Sequence, residues 1–523
     1  MNLSKENLSA IRETGLIKPG AAIFDLPEKV LQFGTGVLLR GLPDYFIDKA
    51  NRQGLFNGRV VVVKSTDSGD AGVFDRQDGL YTLCVRGIED GRKMEENIIC
   101  SAISRVLSAR DQWKEILALA HRPEMQIIIS NTTEVGIQLV EDDIRREPPA
   151  SFPGKLLRVL YERYIAFGGS PQSGMVVVPT ELIVDNGKKL AGIVRELAMI
   201  NQLEEDFLLW LERHCPICSS LVDRIVPGKP DAATLQQLHH DLGYTDELLV
   251  VCEAYRLWAI EGNERVRAVL SFGAADEGVI IEPDIEVYRE LKLRLLNGTH
   301  TLSCGLAVLA GFTTVKLGMD DPAFAAFVSD LMMKEIAPAI PYRPGEGEGG
   351  SGRPGRGEGE DDRERASDAF SVRAREFGLK VLDRFRNPHL QHQWISITMQ
   401  YSSKMKSRVV PVLFEHYKRH SEAPVHIALG FAAFLLFMKG EKREGRAEKT
   451  EGWDDRAGYF TDLWARYPAE DVVMKALGDE SLWGANLLLL KGFAGAVLEQ
   501  LDILMNKGAL TALVLLSTKK SIV

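Results

Sequence analysis

Cysteine is scarce in this 523-residue chain: there are six, and no apolar leader-like stretch follows Met1. That argues against a disulfide framework and leads us to expect a reducing cytoplasm. Long hydrophobic runs are missing too. The longest, Ile427 to Met438, is about a dozen residues against the ~20 that cross a bilayer. It therefore reads as a buried helix, and no membrane partner is expected. Positive charge is in deficit, with 63 Lys and Arg against 73 Asp and Glu and a net charge of −10. This speaks against a nucleic-acid partner, whereas an acidic small molecule needs only a local basic pocket. No H-E-x-x-H run and no paired Cys/His set at zinc spacing occurs, so the sequence carries no zinc signature. Cys215-Pro-Ile-Cys218 is a C-x-x-C without a second half and reads as two ordinary cysteines.

What is present is an ordinary globular composition, 45% apolar and 26% charged, long enough for two or three domains. Up to about residue 280 the pattern alternates β and α. Lys29–Phe33 is a short apolar strand, followed by Gly34-Thr35-Gly36 and a helical pattern interrupted by Gly41 and Pro43. Gly58–Lys64 (G-R-V-V-V-V-K) is continuous and β-branched, as a buried parallel strand should be. Strand, glycine turn, helix, strand opens a dinucleotide-binding βαβ unit. The match is partial, because Leu39 stands at the third glycine of G-x-G-x-x-G. Lys64-Ser65-Thr66-Asp67 follows the second strand where NAD-binding units place an acidic residue, so NAD and NADP are not separated by this rule. Asn97–Leu107 reads as strand and Trp113–Ala120 as helix. Met125–Ser130 is another buried strand, ending in Asn131-Thr132-Thr133-Glu134. Polar residues there line the ligand edge of an open α/β sheet, or equally cap the next helix. Met175–Pro179 is a further strand, leading into T-E-L-I-V-D-N-G.

From Glu282 onward the pattern is almost wholly helical. The expected division is therefore an α/β domain over 1–280 and a mostly α-helical domain over 281–523. Tyr342–Ala366 breaks the helical pattern with a Gly- and charge-rich run that cannot bury enough apolar surface to order itself, and reads as a disordered insertion. Lys439–Asp455 reads as a solvated connection.

The stretch richest in chemistry is Lys292–His300, K-L-R-L-L-N-G-T-H. At helical pitch Lys292, Asn297 and His300 share an arc roughly 140° wide, at ~100° per residue, with Gly298 expected to loosen the helix. A desolvated lysine suits proton transfer at a carbinol or carbonyl, with amide and imidazole to hold the oxygen. On spacing alone, a surface lysine, an Asn-Gly break and a buried structural histidine are the readier account.

Several motifs together resemble the polyol-specific long-chain dehydrogenase/reductase family, which includes mannitol dehydrogenases and hexuronate-pathway reductases. They are Q-F-G-T-G-V-L-L-R (Gln32–Arg40), Q-D-G-L-Y-T-L (Gln77–Leu83), L-V-D-R-I-V-P (Leu221–Pro227), K-L-R-L-L-N-G-T-H, R-F-R-N-P-H-L-Q-H-Q-W (Arg384–Trp394) and S-S-K-M-K-S-R-V-V-P (Ser402–Pro411). They run in family order over nearly the whole chain. S-N-T-T-E (130–134), P-T-E-L-I (179–183) and N-P-H-L-Q-H-Q-W bring it closer to the uronate reductases of that family.

The resemblance implies a Rossmann-type N-terminal domain, a helical C-terminal domain and metal-independent hydride transfer with NAD on a small sugar acid. It places the cofactor on Gln32, Phe33, Gly34, Thr35, Gly36, Val37, Leu38 and Arg40, with Thr66 and Asp67 after the second strand. Asn131, Thr132 and Glu134 complete that expected set. Lys292 becomes the general acid/base, and Asn297 and His300 shape the oxyanion site. Glu181 stands where mannitol-type members have a second catalytic asparagine, and Ser396 stands nearest to their arginine, while Lys404 matches their downstream lysine. With Asn186, Asp223 and Arg224 these are the expected substrate contacts, although Asp223-Arg224 reads equally as a structural ion pair. A uronate carboxylate requires a cation, for which Lys404, Lys406, Arg408 and Arg224 are candidates. His389 and His392 fit cap and core roles better than substrate contact. Which keto-uronate or hexitol is preferred is not displayed. A non-catalytic sensor of sugar acid or dinucleotide is the other class, against which the intact Lys292/Asn297/His300 set argues.

Overall fold

A computed structural model describes residues 1–65, 72–342, 360–440 and 453–518. The chain divides into two compact units: Met1–Gly87 with Lys93–Ile285, and Ile88–Arg92 with Glu286–Val523. The first is built on five parallel strands: β1 (Glu28–Phe33), β2 (Arg59–Lys64), β3 (Ile103–Ser108), β4 (Ile127–Ser130) and β5 (Val176–Pro179). Their spatial order is 3-2-1-4-5, that of a doubly wound dinucleotide-binding sheet.

Both faces of this sheet are covered, which is why its strands read as unbroken apolar runs rather than alternating ones. Val30, Val60, Val62, Ile127, Ile129 and Val178 enter one core cluster. Their neighbours Leu31, Phe33, Val61, Val63, Ile128 and Val177 enter the other, as the two-residue period of a strand requires. Val37–Gly41 and Pro43–Arg52 are separate helices, divided where Gly41 and Pro43 were expected to interrupt. The strand expected over 97–107 is two: the hairpin strand Arg92–Cys100 and β3, with Ser101-Ala102 between them. A four-stranded sheet (Leu16–Ile17, Arg92–Cys100, Tyr81–Glu89, Val250–Glu253) and a three-stranded one (Val279–Glu282, Leu257–Glu261, Ser220–Asp223) complete the unit.

The second unit is helical. Its centre is Val425–Met438, an apolar helix buried nearly all round, as its run of a dozen apolar residues suggested. Gly430 lets it approach Thr299–Leu309, since a Cβ there would stand 2.6 Å from Leu302 Cδ2. Among the described residues no helix is long and apolar enough to cross a membrane, and all six cysteines are free and buried.

Gly298 was expected to loosen the helix, and the run is widened there without a break: at φ −65°, ψ −46° it ends a π-helical segment, Lys292–Gly298, that passes directly into the α-helix Thr299–Leu309. One expectation is corrected: the Gly-rich interruption is shorter than 342–366, because Glu360–Phe385 is one helix. Glu, Arg and Ala over 360–366 are good helix formers that need no burial of their own. The rest of that expectation, 343–359, and most of the expected connection over 439–455 lie outside the described residues.

Candidate active site

The loops after β1 and β4 lie side by side at the sheet's C-terminal edge, where open α/β sheets bind ligands. Asn131 N–H donates to the Phe33 carbonyl at 3.1 Å. Gly34 sits at φ +125°, and a Cβ there would stand 2.9 Å from the Asn131 carbonyl oxygen, so only glycine allows this approach. Among the described residues nothing lies within 4 Å of where a Gly36 Cβ would be, which leaves space over the loop. Val37 and Leu38 are half-buried against the core, and Thr35 is half-buried beside them.

Three residues expected at the cofactor turn inward instead. The Phe33 ring is fully buried, edge-on to Phe152, because odd positions of β1 face the second core. Arg40 is buried over the rings of Phe74 and Tyr81 and donates to the Leu248 carbonyl. Gln32 is buried and donates to the Asp44 carboxylate at 3.4 Å. Phe33 and Gln32 line the loop by backbone alone. Thr66 and Asp67 lie outside the described residues. Glu134 opens a 3-10 turn, Glu134–Gly136.

Glu181 is almost wholly buried. Its carboxylate accepts from Thr132 N–H at 2.9 Å, Thr132 Oγ1 at 3.0 Å and Ser130 Oγ at 3.2 Å. Burial raises its pKa, against those hydrogen bonds. It thus ties the β4 loop to the β5 loop. Asn131 adds to the same tie through Thr180, at 3.0 and 3.2 Å. Asn186 is fully buried, its Nδ2 shared among the carbonyls of Pro179, Glu181 and Ser220 and its Oδ1 accepting from Gly187 and Ser220 N–H. Every polar atom of that side chain is occupied by backbone, so the expected substrate contact is not what the structure places there. Arg224 is likewise internal: it donates to the carbonyls of Glu253 and Gly41 and lies 4.6 Å over the Tyr45 ring. Asp223 is buried on the strand Ser220–Asp223.

Lys292, Asn297 and His300 ride one continuous helical run in the second unit. The π-helical segment widens the turn, so residues five apart come over one another, bringing Asn297 into line with Lys292. In a plain α-helix the two would stand well apart around the axis. A second π-helical segment, Met405–Val409, follows Tyr401–Lys404. Pro411 explains it in part: lacking an N–H, it leaves a carbonyl of the preceding turn without its helical donor. Arg294 takes that place, donating to the carbonyls of Ser407 at 2.6 Å and Arg408 at 3.1 Å. Its own charge is balanced by Glu290 at 2.9 Å.

His300 is 9% exposed, stacked 4.1 Å from Phe385 at 12° and edge-on to His392 and Trp394. Its Nε2 is buried without a hydrogen-bond partner. Desolvation pushes its pKa well below 6.5, and His392, Arg384, Arg408 and Lys404 push the same way. The ring is therefore neutral and able to donate one hydrogen bond. Lys404 is half-buried and donates to the Ile397 carbonyl at 3.0 Å, its pKa lowered by burial and then by Arg408. Ser396 and Lys406 are exposed.

The structure thus brings Lys404, Arg408, Arg384 and His392 around His300. Arg384 and Arg294 carried no functional reading in the sequence, although both lie inside motifs quoted above. Pro411, within a helical pattern close behind Lys404, was the available signal for the second irregular turn.

A family model described as the mannitol dehydrogenase Rossmann domain matches residues 28–272, and one described as the mannitol dehydrogenase C-terminal domain matches 284–347 and 368–505. Among curated proteins, altronate oxidoreductase of Bacillus subtilis is 36% identical over 88% of this chain and 89% of its own. That of Halalkalibacterium halodurans is 34% identical over 92% of each. Among solved structures, D-sorbitol dehydrogenase in substrate-free form superposes with a TM-score of 0.72 at 18% identity, over 98% of this chain and all of that one. Pseudomonas fluorescens mannitol 2-dehydrogenase, solved with NAD and D-mannitol, gives 0.63 at 22%, over 99% and 100%. These two establish the fold. The chain belongs to the mannitol dehydrogenase family of oxidoreductases acting on CH–OH groups, the first part being that family's Rossmann domain and the remainder its C-terminal domain.

Proposed function

We propose that the protein is an NAD-dependent altronate oxidoreductase, interconverting D-tagaturonate and D-altronate and working physiologically as the reductase. The observation that carries this reading is the Lys292/Asn297/His300 set on one π-widened run, in a chain whose relatives at 34–36% identity are named altronate oxidoreductase.

The residues at the sheet edge fit a dinucleotide: a glycine loop that a Cβ would obstruct, with open space over Gly36. NADH, when bound, supplies the hydride that reduces the ketone carbon to a secondary alcohol. Lys292 donates a proton to the carbonyl oxygen as the C–O double bond becomes single, and is reprotonated from solvent. Asn297 and the neutral His300 donate hydrogen bonds to that oxygen, stabilising charge where it develops. In the oxidative direction Lys292 takes the hydroxyl proton. Lys404 contacts the sugar acid. Glu181 holds the β4 and β5 loops together rather than replacing the asparagine of mannitol-type members.

The test is NADH consumption at neutral pH with tagaturonate, fructuronate and fructose offered in parallel. Fast turnover of tagaturonate alone is expected. Preference for either other ketone overturns the substrate, and no turnover with any of them, or with NADPH, overturns the enzyme.

A further inference from the structure

Several cations gather around His300. Arg384 is buried at the end of Glu360–Phe385, His392 is half-buried just beyond it, and Lys404 and Arg408 lie one turn apart along the second irregular helix. Their charges act on one another in the same direction: burial and then neighbouring cations push both His300 and His392 toward the neutral form. Asp454 acts on Lys404, but it is already bonded by Ser402 N–H and Oγ at 2.7 Å and by Arg456 N–H at 2.8 Å. Beside Arg408 the structure shows a neutral hydroxyl: Nη1 donates to Thr301 Oγ1 at 3.2 Å. Burial lowers its pKa, and the group opposing that is the Cys304 thiol rather than a carboxylate.

A half-buried guanidinium with no carboxylate partner among the described residues, one turn from a lysine and against a 91%-buried histidine with an unpartnered Nε2, is costly unless an anion joins it. A planar fork of five donors suits a carboxylate better than an ammonium does. Lys404 meanwhile gives one donor to Ile397 and is drawn to Asp454.

We propose that Arg408 binds the carboxylate of the sugar-acid substrate, and so makes the site select hexuronates and hexonates over neutral ketohexoses and hexitols. This rests on the reading above that the site takes a sugar acid.

The test is steady-state kinetics of the full chain with NADH on tagaturonate and on tagatose, which carries a hydroxymethyl in place of the carboxylate. In Arg408→Gln the ratio of kcat/KM for tagaturonate over tagatose falls about 30-fold or more, with the loss in KM, and Arg408→Lys lies between. An unchanged ratio overturns the proposal, as does a larger fall in Lys404→Gln than in Arg408→Gln. If Arg408→Gln does not fold, Arg408→Lys decides, since it keeps the charge and loses the fork. Wild-type turnover of fructose 6-phosphate, lost in Arg408→Gln, reassigns the subsite to phosphate and also overturns it. Should the wild type reduce no keto-uronate, the functional reading falls separately. Altronate binding by calorimetry then judges Arg408: weaker binding in Arg408→Gln supports it, and equal binding overturns it.

Discussion

Arg294 Nη1 donates to the Ser407 carbonyl at 2.6 Å, joining the π-helical segment that carries Lys292 and Asn297 to the one that follows Lys404. The donor is buried, ion-paired to Glu290, and replaces a backbone N–H that Pro411 lacks. Removing a buried, paired guanidinium leaves a half-buried carboxylate and two carbonyls without their donor. Arg294→Met is therefore expected to lose about 3 kcal/mol of stability by denaturant unfolding. It should also cut kcat by about tenfold or more with NADH affinity unchanged. Loss of stability with intact kcat would leave Arg294 as a fold residue only.

Lys292→Ala is expected to bind NADH as the wild type does while losing about 100- to 10,000-fold in kcat. Stopped-flow turnover with fluorescence-monitored NADH binding separates the two quantities. Near-normal turnover sinks the acid/base assignment.

His300 is held neutral by burial and by the surrounding cations, so its protonation does not shape activity near neutral pH. His300→Asn, which keeps a donor, is expected to share the wild-type kcat profile from about pH 6 to about pH 8 at a reduced level. His300→Ala should fall further, because it also empties the space against Phe385. A wild-type inflection that vanishes in His300→Asn contradicts this.

The parallel sheet was legible because both faces of each strand are buried, so Val60–Val63 and Ile127–Ile129 stand as continuous apolar runs. The helical second unit was legible from composition, and Val425–Met438 from its length. Helix pitch was legible only in part: Gly298 suggested a loosened turn, but K-L-R-L-L-N-G does not display that Arg294 reaches the carbonyls of Ser407 and Arg408, more than a hundred residues away. For the same reason Asn186, Arg224 and Arg40 looked functional in their motifs: a polar residue engaged by distant backbone carbonyls reads like one awaiting a ligand. Arg384 carried no functional reading until folding brought it to His300, beside Arg408, which the sequence already offered as a candidate cation.

Gly34 and Gly36 offer a matched pair. Gly34 has φ +125° and its Cβ would stand 2.9 Å from Asn131 O, whereas Gly36 has φ −63° and open space. Gly34→Ala is expected to cost about 1–3 kcal/mol of stability and to weaken NADH binding with it. Gly36→Ala should leave the melting temperature unchanged while weakening NADH binding, because the added methyl enters the space assigned to the dinucleotide. Thermal melts and NADH titrations of both variants check this. Unchanged NADH affinity in Gly36→Ala would remove the dinucleotide from that loop.

Asp44 lies fully buried beneath the same loop, on the helix Pro43–Arg52, its pKa raised by desolvation from 3.8 to about 7. Asp44 Oδ1 and Gln32 Oε1 are both buried without a hydrogen bond. A proton on the carboxyl gives the group a donor of its own and leaves Oδ2 to accept from Gln32 Nε2. The folded state therefore holds a proton that the unfolded chain releases at lower pH. Its contribution to stability is present in full below about pH 3.8 and is lost as pH rises through about 7. At about 1.36 kcal/mol per unit the total is about 4 kcal/mol. Asp44→Asn carries the donor permanently, so it should melt close to the wild type at about pH 5 and several degrees above it at about pH 8. A variant less stable than the wild type at the higher pH would show that the native carboxylate is ionised and held by Arg40, whose positive charge favours the ionised form.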